Sequence, residues 1–365
     1  MPLSGDSFGE AQTVVNAIKQ AIEEEQQNLC QGRLSIVFES YNDSALNGKN
    51  NWDPEQVRKN AEKIAQDAEV VAVIGHYNSG ATKVSLPILN QANVVMVSPA
   101  NTYPGLTKPG KGEEGEPKKF YPTGKQTYAR VVPADDLQGA VAARWALSLG
   151  IKSVYVTDDG DTYGKGVADV FEASAKELGI KVLGRTSISR AENYRDIASQ
   201  IAPLQPDLVY YGGIAGHGAG YLLRDLREQG LEGTSFMGAD SMVVQLFMDQ
   251  ALEAAEGAYA TFPGIPFDVL QGDAKTWYEN YKKRFGSEPQ PYALYGFEAA
   301  KVVLKAIGKV CRNDREAIRE AVLSTQNYQG LLGEWSFDPN GDTTLTLYGG
   351  FQVKNGVWEY VTTLK

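Results

Sequence analysis

Residues 70–82, VVAVIGHYNSGAT, followed by residues 94–102, VVMVSPANT, decide the fold. Each is a short apolar run that ends abruptly in small polar residues. Such a run reads as a buried parallel strand, with the polar residues at its carboxyl end. Ligands of open α/β sheets bind at the carboxyl ends of strands. Two neighbouring strand ends therefore offer Asn78, Ser79, Ala100 and Thr102 to one spot. None of these is a good acid, base or metal ligand. They are hydrogen-bonding groups, suited to holding a small polar molecule without reacting with it.

Outward from these runs, helical and strand patterns alternate. Val14, Val15, Ile18, Ala21 and Ile22 make a helical stripe, and Leu34–Phe38 reads as a strand. Asp53-Pro54-Glu55 is a helix start: a capping Asp, Pro in the first turn, an acid near the positive end. A second alternating block has strands at 153–157, 181–183, 208–211 and 236–237, separated by helices at about 164–178, 193–203 and 217–230. Alternation of this kind means βαβ units and parallel sheets. Residues 103–126, rich in Gly, Pro and charge, read as a long surface loop. Residues 256–263 read as a crossing strand, with helices to follow at about 273–285, 293–309 and 314–323. The tail is β-like, with Asn355-Gly356 as a hairpin turn.

The chain has 365 residues, enough for two lobes. A net charge of −10 argues against nucleic acid or an anionic membrane as partner. No apolar run has the length of a bilayer span. Met1 is followed by Pro2 and polar residues, which reads as a cytosolic chain or one cut after its targeting segment. Cys30 and Cys311 fit one disulfide or two buried thiols, and the count leaves both open.

Enzyme signals are poor. GGIAGHGAG at 212–220 fails the dinucleotide spacing, because Tyr221 stands where the last glycine belongs. GDTYGKG at 160–166 lacks Ser or Thr after Lys165. Only two histidines exist, His76 and His217, so the expectation is no metal centre and no cofactor. His76 near Ser79 reads as a satisfied strand-end residue rather than half of a catalytic pair. Asp240, after a strand in FMGADS, suits an ammonium anchor or a helix N-cap, and position alone does not separate these. Tyr163 can cover a ligand or pack in a core. Phe8 can line a pocket wall or staple the first helix.

Taken in order, PLSGDSFGEA, VIGHYNSGAT, SPANTYPGLT, DDGDTYGKG, YYGG and FMGAD resemble the leucine/isoleucine/valine-binding protein family, the solute-binding proteins of ABC importers. The resemblance runs over nearly the whole chain. It implies a type I periplasmic binding protein: α/β, with two Rossmann-like lobes, parallel central sheets and a three-strand hinge. The lobes are expected at 1–127 with 257–330 and at 128–256 with 331–365, with crossings at 128–132, 256–263 and about 328–334. The family places a strand ahead of its opening turn; here that turn follows Met1 directly, and the first sheet is expected to lack it.

The resemblance also implies roles. Ser79 and Thr102 would take an amino acid's carboxylate. The Ala100 carbonyl, the Thr102 hydroxyl and Asp240 would take its ammonium. Tyr163 would close over it, and Phe8, Tyr77 and Asn78 would complete the site. The family usually carries Glu where Asp240 stands. The implied function is capture of an L-amino acid, branched-chain or otherwise neutral, by hinge closure and delivery to an ABC permease. The implied setting is periplasmic or extracellular, with a monomeric chain. The alternatives are a sensory ligand-binding domain of the same fold and an α/β enzyme.

Overall fold

The computed structural model describes residues 1–45, 51–264 and 266–365. They divide into two compact units. The first is Met1–Pro133 with Phe267–Leu345, and the second is Ala134–Pro266 with Thr346–Lys365.

Helix α1 (Phe8–Gln26) buries the stripe Val14, Val15, Ile18, Ala21 and Ile22. Helix α2 (Pro54–Gln66) starts where the sequence signals it, with Asp53 Oδ1 accepting from the Gln56 N–H at 2.8 Å. Strand β1 (Ala72–Ile74), helix α3 (Ser79–Gln91), strand β2 (Val95–Ser98) and strand β3 (Tyr128–Arg130) follow. The three strands form a parallel sheet in the order β1-β2-β3. Every residue of β2 is buried, while every residue of β1 is half-buried.

Two expectations for this region fail. Residues 34–38 join no ladder, although they alternate between half-buried and exposed as a strand would. Periodicity reports a strand's faces; a ladder also needs a neighbour, and β1 does not pair with this segment. Residues 103–126 are not a surface loop throughout. Leu106 and Phe120 pack with Leu86, Met96 and Tyr128 in the unit's core. Glu116 accepts from the Tyr103 hydroxyl at 2.8 Å and pairs with Lys83 and Lys119 at 2.9 and 3.0 Å. Glu116 is buried among these partners, while Lys111, Glu113, Glu114 and Lys118 stay exposed as the reading expected.

The chain next builds the second unit. Its elements are α4 (Asp135–Ser148), β4 (Ser153–Asp158), α5 (Thr162–Glu177), β5 (Lys181–Ser187), α6 (Arg195–Ile201), β6 (Leu208–Gly212), α7 (Ala219–Glu228), β7 (Ser235–Gly238), α8 (Gln245–Ala251) and β8 (Tyr259–Pro263). It then returns to the first unit with α9 (Gly272–Phe285), α10 (Ala293–Val310), α11 (Arg315–Leu323) and the antiparallel pair β9 (Tyr328–Gly330) and β10 (Gly333–Trp335). It finishes in the second unit with β11 (Tyr348–Lys354) and β12 (Val357–Leu364), joined at Asn355-Gly356 with both residues at positive φ, as a primed turn requires. The second sheet has seven strands in the order β12-β11-β8-β7-β6-β4-β5, parallel from β8 to β5. Phe171 stacks on Tyr210 beneath it at 3.7 Å between ring centroids, with Trp145, Val154, Val156 and Met237 in the same core.

The observed divisions fall after residues 133, 266 and 345, each later than the sequence reading set them. Tyr128–Arg130 pairs with β2 and so stays in the first sheet. β8 pairs with β7 and β11 and so stays in the second. Residues 331–335 stay with the first unit because the indole N–H of Trp335 donates to the buried Glu298 of α10 at 3.2 Å. Cys30 and Cys311 form a disulfide that ties the chain after α1 to the end of α10.

Candidate ligand-binding strand ends

In the first unit, the turns after β1 and β2 are knitted together by a residue the sequence reading passed over. Asn101 is fully buried. Its Nδ2 donates to the carbonyls of His76 and Tyr77 at 2.9 and 3.1 Å, and its Oδ1 accepts from the hydroxyls of Thr82 and Tyr128. Arg130, buried at the end of β3, supports the same turn. Its guanidinium donates to the carbonyls of Asn101 and Tyr103 at 3.2 and 2.8 Å and to Asp342 at 2.6 Å. Thr102 is thus clamped on both sides. No local signal marks this: Asp342 lies 212 residues from Arg130.

Within that frame the expected residues gather. Ser79 is the first residue of α3, and Asn78 is its N-cap without a side-chain capping bond. Ser79 Oγ accepts from the Tyr103 N–H at 3.4 Å. Thr102 Oγ1 and Asn78 Oδ1 are buried and make no hydrogen bond among the described residues. Burial without a partner costs about 1–3 kcal/mol per group, so these atoms suit a ligand's polar end. The first turn of α3 carries no acidic residue, and its N–H groups favour an anion there. The Ala100 N–H is taken by Ser98 Oγ at 3.2 Å, so its carbonyl is the backbone group left for recognition. Tyr77 packs edge-on to Tyr292 at 5.6 Å, an aromatic neighbour that sequence order conceals. Phe8 is 46% exposed at the start of α1 and makes no ring contact with Tyr77 among the described residues.

His76 is satisfied elsewhere. Its Nδ1 lies 2.5 Å from Asp43 Oδ2, which also meets the Met1 ammonium at 2.5 Å. Burial pushes the Asp43 carboxyl up, but the His76 ring and the Met1 ammonium outweigh it and hold the group well below the usual carboxylate range.

In the second unit, the carboxyl ends of β4, β6 and β7 carry a separate polar group. The Tyr163 hydroxyl donates to Asp240 Oδ1 at 2.9 Å, with Ser241 Oγ at 3.3 Å, and Ser241 in turn donates to the Gly213 carbonyl at 2.6 Å. Asp240 is the first residue of the short turn Asp240–Met242, whose N-cap is Ala239. Burial, then the charges of Asp240 and Asp135, push the Tyr163 hydroxyl well up, so it remains a donor. Asp159, also missed by the sequence reading, orders the next loop. It accepts from the N–H groups of Asp161 and Ile214 at 3.0 Å each and meets His217 Nδ1 at 2.9 Å. The glycines of YYGG serve close approach: a Cβ on Gly212 would sit 2.4 Å from the Gly164 carbonyl oxygen. Among the described residues no cluster of three or more His, Cys, Asp or Glu could hold a metal ion.

Two α/β units with polar groups at their strand ends define a class of ligand-binding protein. The sequence matches the periplasmic binding protein family over residues 1–356, and the chain belongs to that family. An amino acid binding protein of Pseudomonas aeruginosa is 29% identical over 300 residues, covering 81% of this chain and 75% of that one. Leu/Ile/Val-binding protein homolog 1 of Brucella melitensis is 29% identical over 308 residues, covering 83% and 77%. The crystal structure of a leucine binding protein of Thermotoga maritima superposes with a TM-score of 0.86 at 25% identity, covering 100% of this chain and 96% of that one.

Proposed function

We propose that this chain is the solute-binding component of an ABC importer, that it captures a neutral L-amino acid without transforming it, and that it hands the ligand to a membrane permease on the periplasmic or extracellular side. The reading rests foremost on Thr102 Oγ1 and Asn78 Oδ1, two buried polar atoms without partners beside the N-terminus of α3. It assigns the ligand carboxylate to Ser79, Thr102 and the first N–H groups of α3. It assigns the ammonium to Asp240, positioned by Tyr163, together with the Ala100 carbonyl and the Thr102 hydroxyl. Tyr77, Asn78 and Phe8 line the ligand's side chain. The names of the relatives support an amino acid as the solute.

Isothermal titration with the proteinogenic amino acids and with simple carboxylates tests this. Saturable binding of a few amino acids, lost on Asp240→Ala while the folded circular dichroism remains, is the expected result. Equal affinity for an amino acid and for the carboxylate without its amino group would overturn the ammonium assignment. No binding by protein that has been denatured and refolded to strip retained ligand would overturn the function.

A further inference from the structure

Asn51 is 2% exposed and is held between two segments that lie far apart in the sequence. Its Oδ1 accepts from the Ser7 N–H at 3.3 Å, on the turn that leads into α1. Its backbone carbonyl accepts from Ser44 Oγ at 3.4 Å, and that hydroxyl also donates to the Ser4 carbonyl at 2.8 Å. The next residue, Trp52, lays its ring so close to the first turn of α3 that a Cβ on Gly80 would have no room. Asn51 therefore joins the turn that leads to Phe8 to the turn that carries Tyr77 and Asn78. These three are the residues given above to the ligand's side chain.

The polar atoms at this junction are unmatched. An N–H only donates, so the atom facing Ser7 is the carboxamide oxygen, and the amino group is the end turned elsewhere. Asn51 Nδ2 is buried and makes no hydrogen bond among the described residues. Neither does Asn78 Oδ1, although Asn78 is the N-cap of α3 and side chains at that position commonly bond back to their own helix. One atom is a donor and the other an acceptor. They do not bond each other, so a group that satisfies both must span them.

Buried polar groups are nearly always matched, and a bare one is costly. A leucine side chain would match neither atom. A carboxylate would match Asn51 Nδ2 and turn a second oxygen toward Asn78 Oδ1. A hydroxyl offers both roles from a single atom. A carboxamide offers them from two: its carbonyl accepts from Asn51 and its amino group donates to Asn78.

Resting on the amino-acid reading above, we propose that the solute is an amino acid whose side chain ends in a carboxamide, and that Asn51 and Asn78 select it. Asn51 supplies the donor and Asn78 the acceptor, with the rings of Tyr77 and Phe8 beside the planar group.

Isothermal titration of refolded protein with asparagine, glutamine, leucine, aspartate and glutamate tests this. Asparagine and leucine share a branched shape, and each amide has its carboxylate counterpart in the set. The better amide should bind at least ~100-fold more tightly than leucine and more tightly than its own carboxylate, because a hydrogen-bonding site rejects a ligand that lacks the groups. Asn51→Asp keeps the oxygen that Ser7 uses and removes the donor; Asn78→Ala removes the acceptor. Each variant, folded by circular dichroism, should narrow the ratio of amide to leucine affinity at least about tenfold. Leucine bound as tightly as the better amide overturns the proposal and leaves amino-acid capture standing. A ratio unmoved in both variants also overturns it. Failure of every proteinogenic amino acid to bind overturns it together with the reading on which it rests.

Discussion

The sheet of the second unit has seven strands, and every residue of its β6 is buried; the sheet of the first unit has three, and every residue of its β1 is half-buried. Both units use the same βαβ grammar and comparably aliphatic strand sequences. What differs is how many neighbours each strand finds. A parallel strand gains stability from burial on both faces and pairing at both edges, and among the described residues β1 has pairing at one. The first unit also carries the disulfide and, at the end of β3, the long-range ion pair of Arg130 with Asp342.

The largest effects should break this contrast at the second unit's core. Phe171 is fully buried and stacked on Tyr210. Phe171→Ala should cost about 3–5 kcal/mol, the range for truncating a packed aromatic, measured by urea denaturation. In the first unit, replacing Cys30 and Cys311 together by Ser should cost about 2–5 kcal/mol, because the bridge closes a sequence separation of 281 residues. Hydrogen exchange should place that loss in the first unit, with the amides of β4, β6 and β7 unaffected. Loss spread evenly over both units would erase the contrast.

How far the sequence carries the fold follows from the same contrast. The cap at Asp53, the turn at Asn355-Gly356 and the strands of the second sheet are written in residues a few positions apart, and they form where expected. The strand reading of 34–38 fails because its partner is not a local property. Ser79, Asn78, Ala100 and Thr102 stand out in the sequence because apolar runs end in them, and the structure places them in the turns after β1 and β2. Asn101, Arg130 and Asp159 escape because their work is long-range hydrogen bonding, which no spacing encodes. Whether Asp240 caps a turn or meets Tyr163 is likewise decided by a residue 77 positions away.

A pH titration sharpens the comparison next. Burial pushes the Glu298 carboxyl in the first unit up to about 7, partly offset by the Leu331 N–H and the Trp335 indole that donate to it. Its unfolded value is the ordinary 4.5, so between about 4.5 and 7 the folded chain holds the extra proton. Stability from this group is full below 4.5, falls as pH rises to about 7 and is flat above. The span corresponds to about 3 kcal/mol. Glu298→Gln, neutral at every pH, should flatten that slope in urea midpoints taken from pH 5 to 8. An unchanged slope would mean that Glu298 is charged when folded across the whole range.

In the proposed binding site, Thr102→Val keeps the side-chain volume and removes the hydroxyl, so ligand affinity should fall by about 1–3 kcal/mol with little change in fold stability. Ser79→Ala should fall in the same range or below it, because Ser79 Oγ already accepts from the Tyr103 N–H. Unchanged affinity in both variants would move the carboxylate away from these strand ends.

The smallest effect is the most pointed. Phe38 is an aromatic in a strand-patterned segment, as Phe171 is an aromatic on a core helix, but it lines a cavity of about 490 Å³ beside β1 and is only half-buried. Half-buried beside an existing cavity, it loses little packing on Phe38→Ala. The cost should be under about 1 kcal/mol, against about 3–5 for Phe171→Ala. Urea midpoints of Phe38→Ala and Phe171→Ala measured side by side read the difference, and a cost of about 3 kcal/mol or more for Phe38→Ala would show that its ring is packed as a core aromatic is.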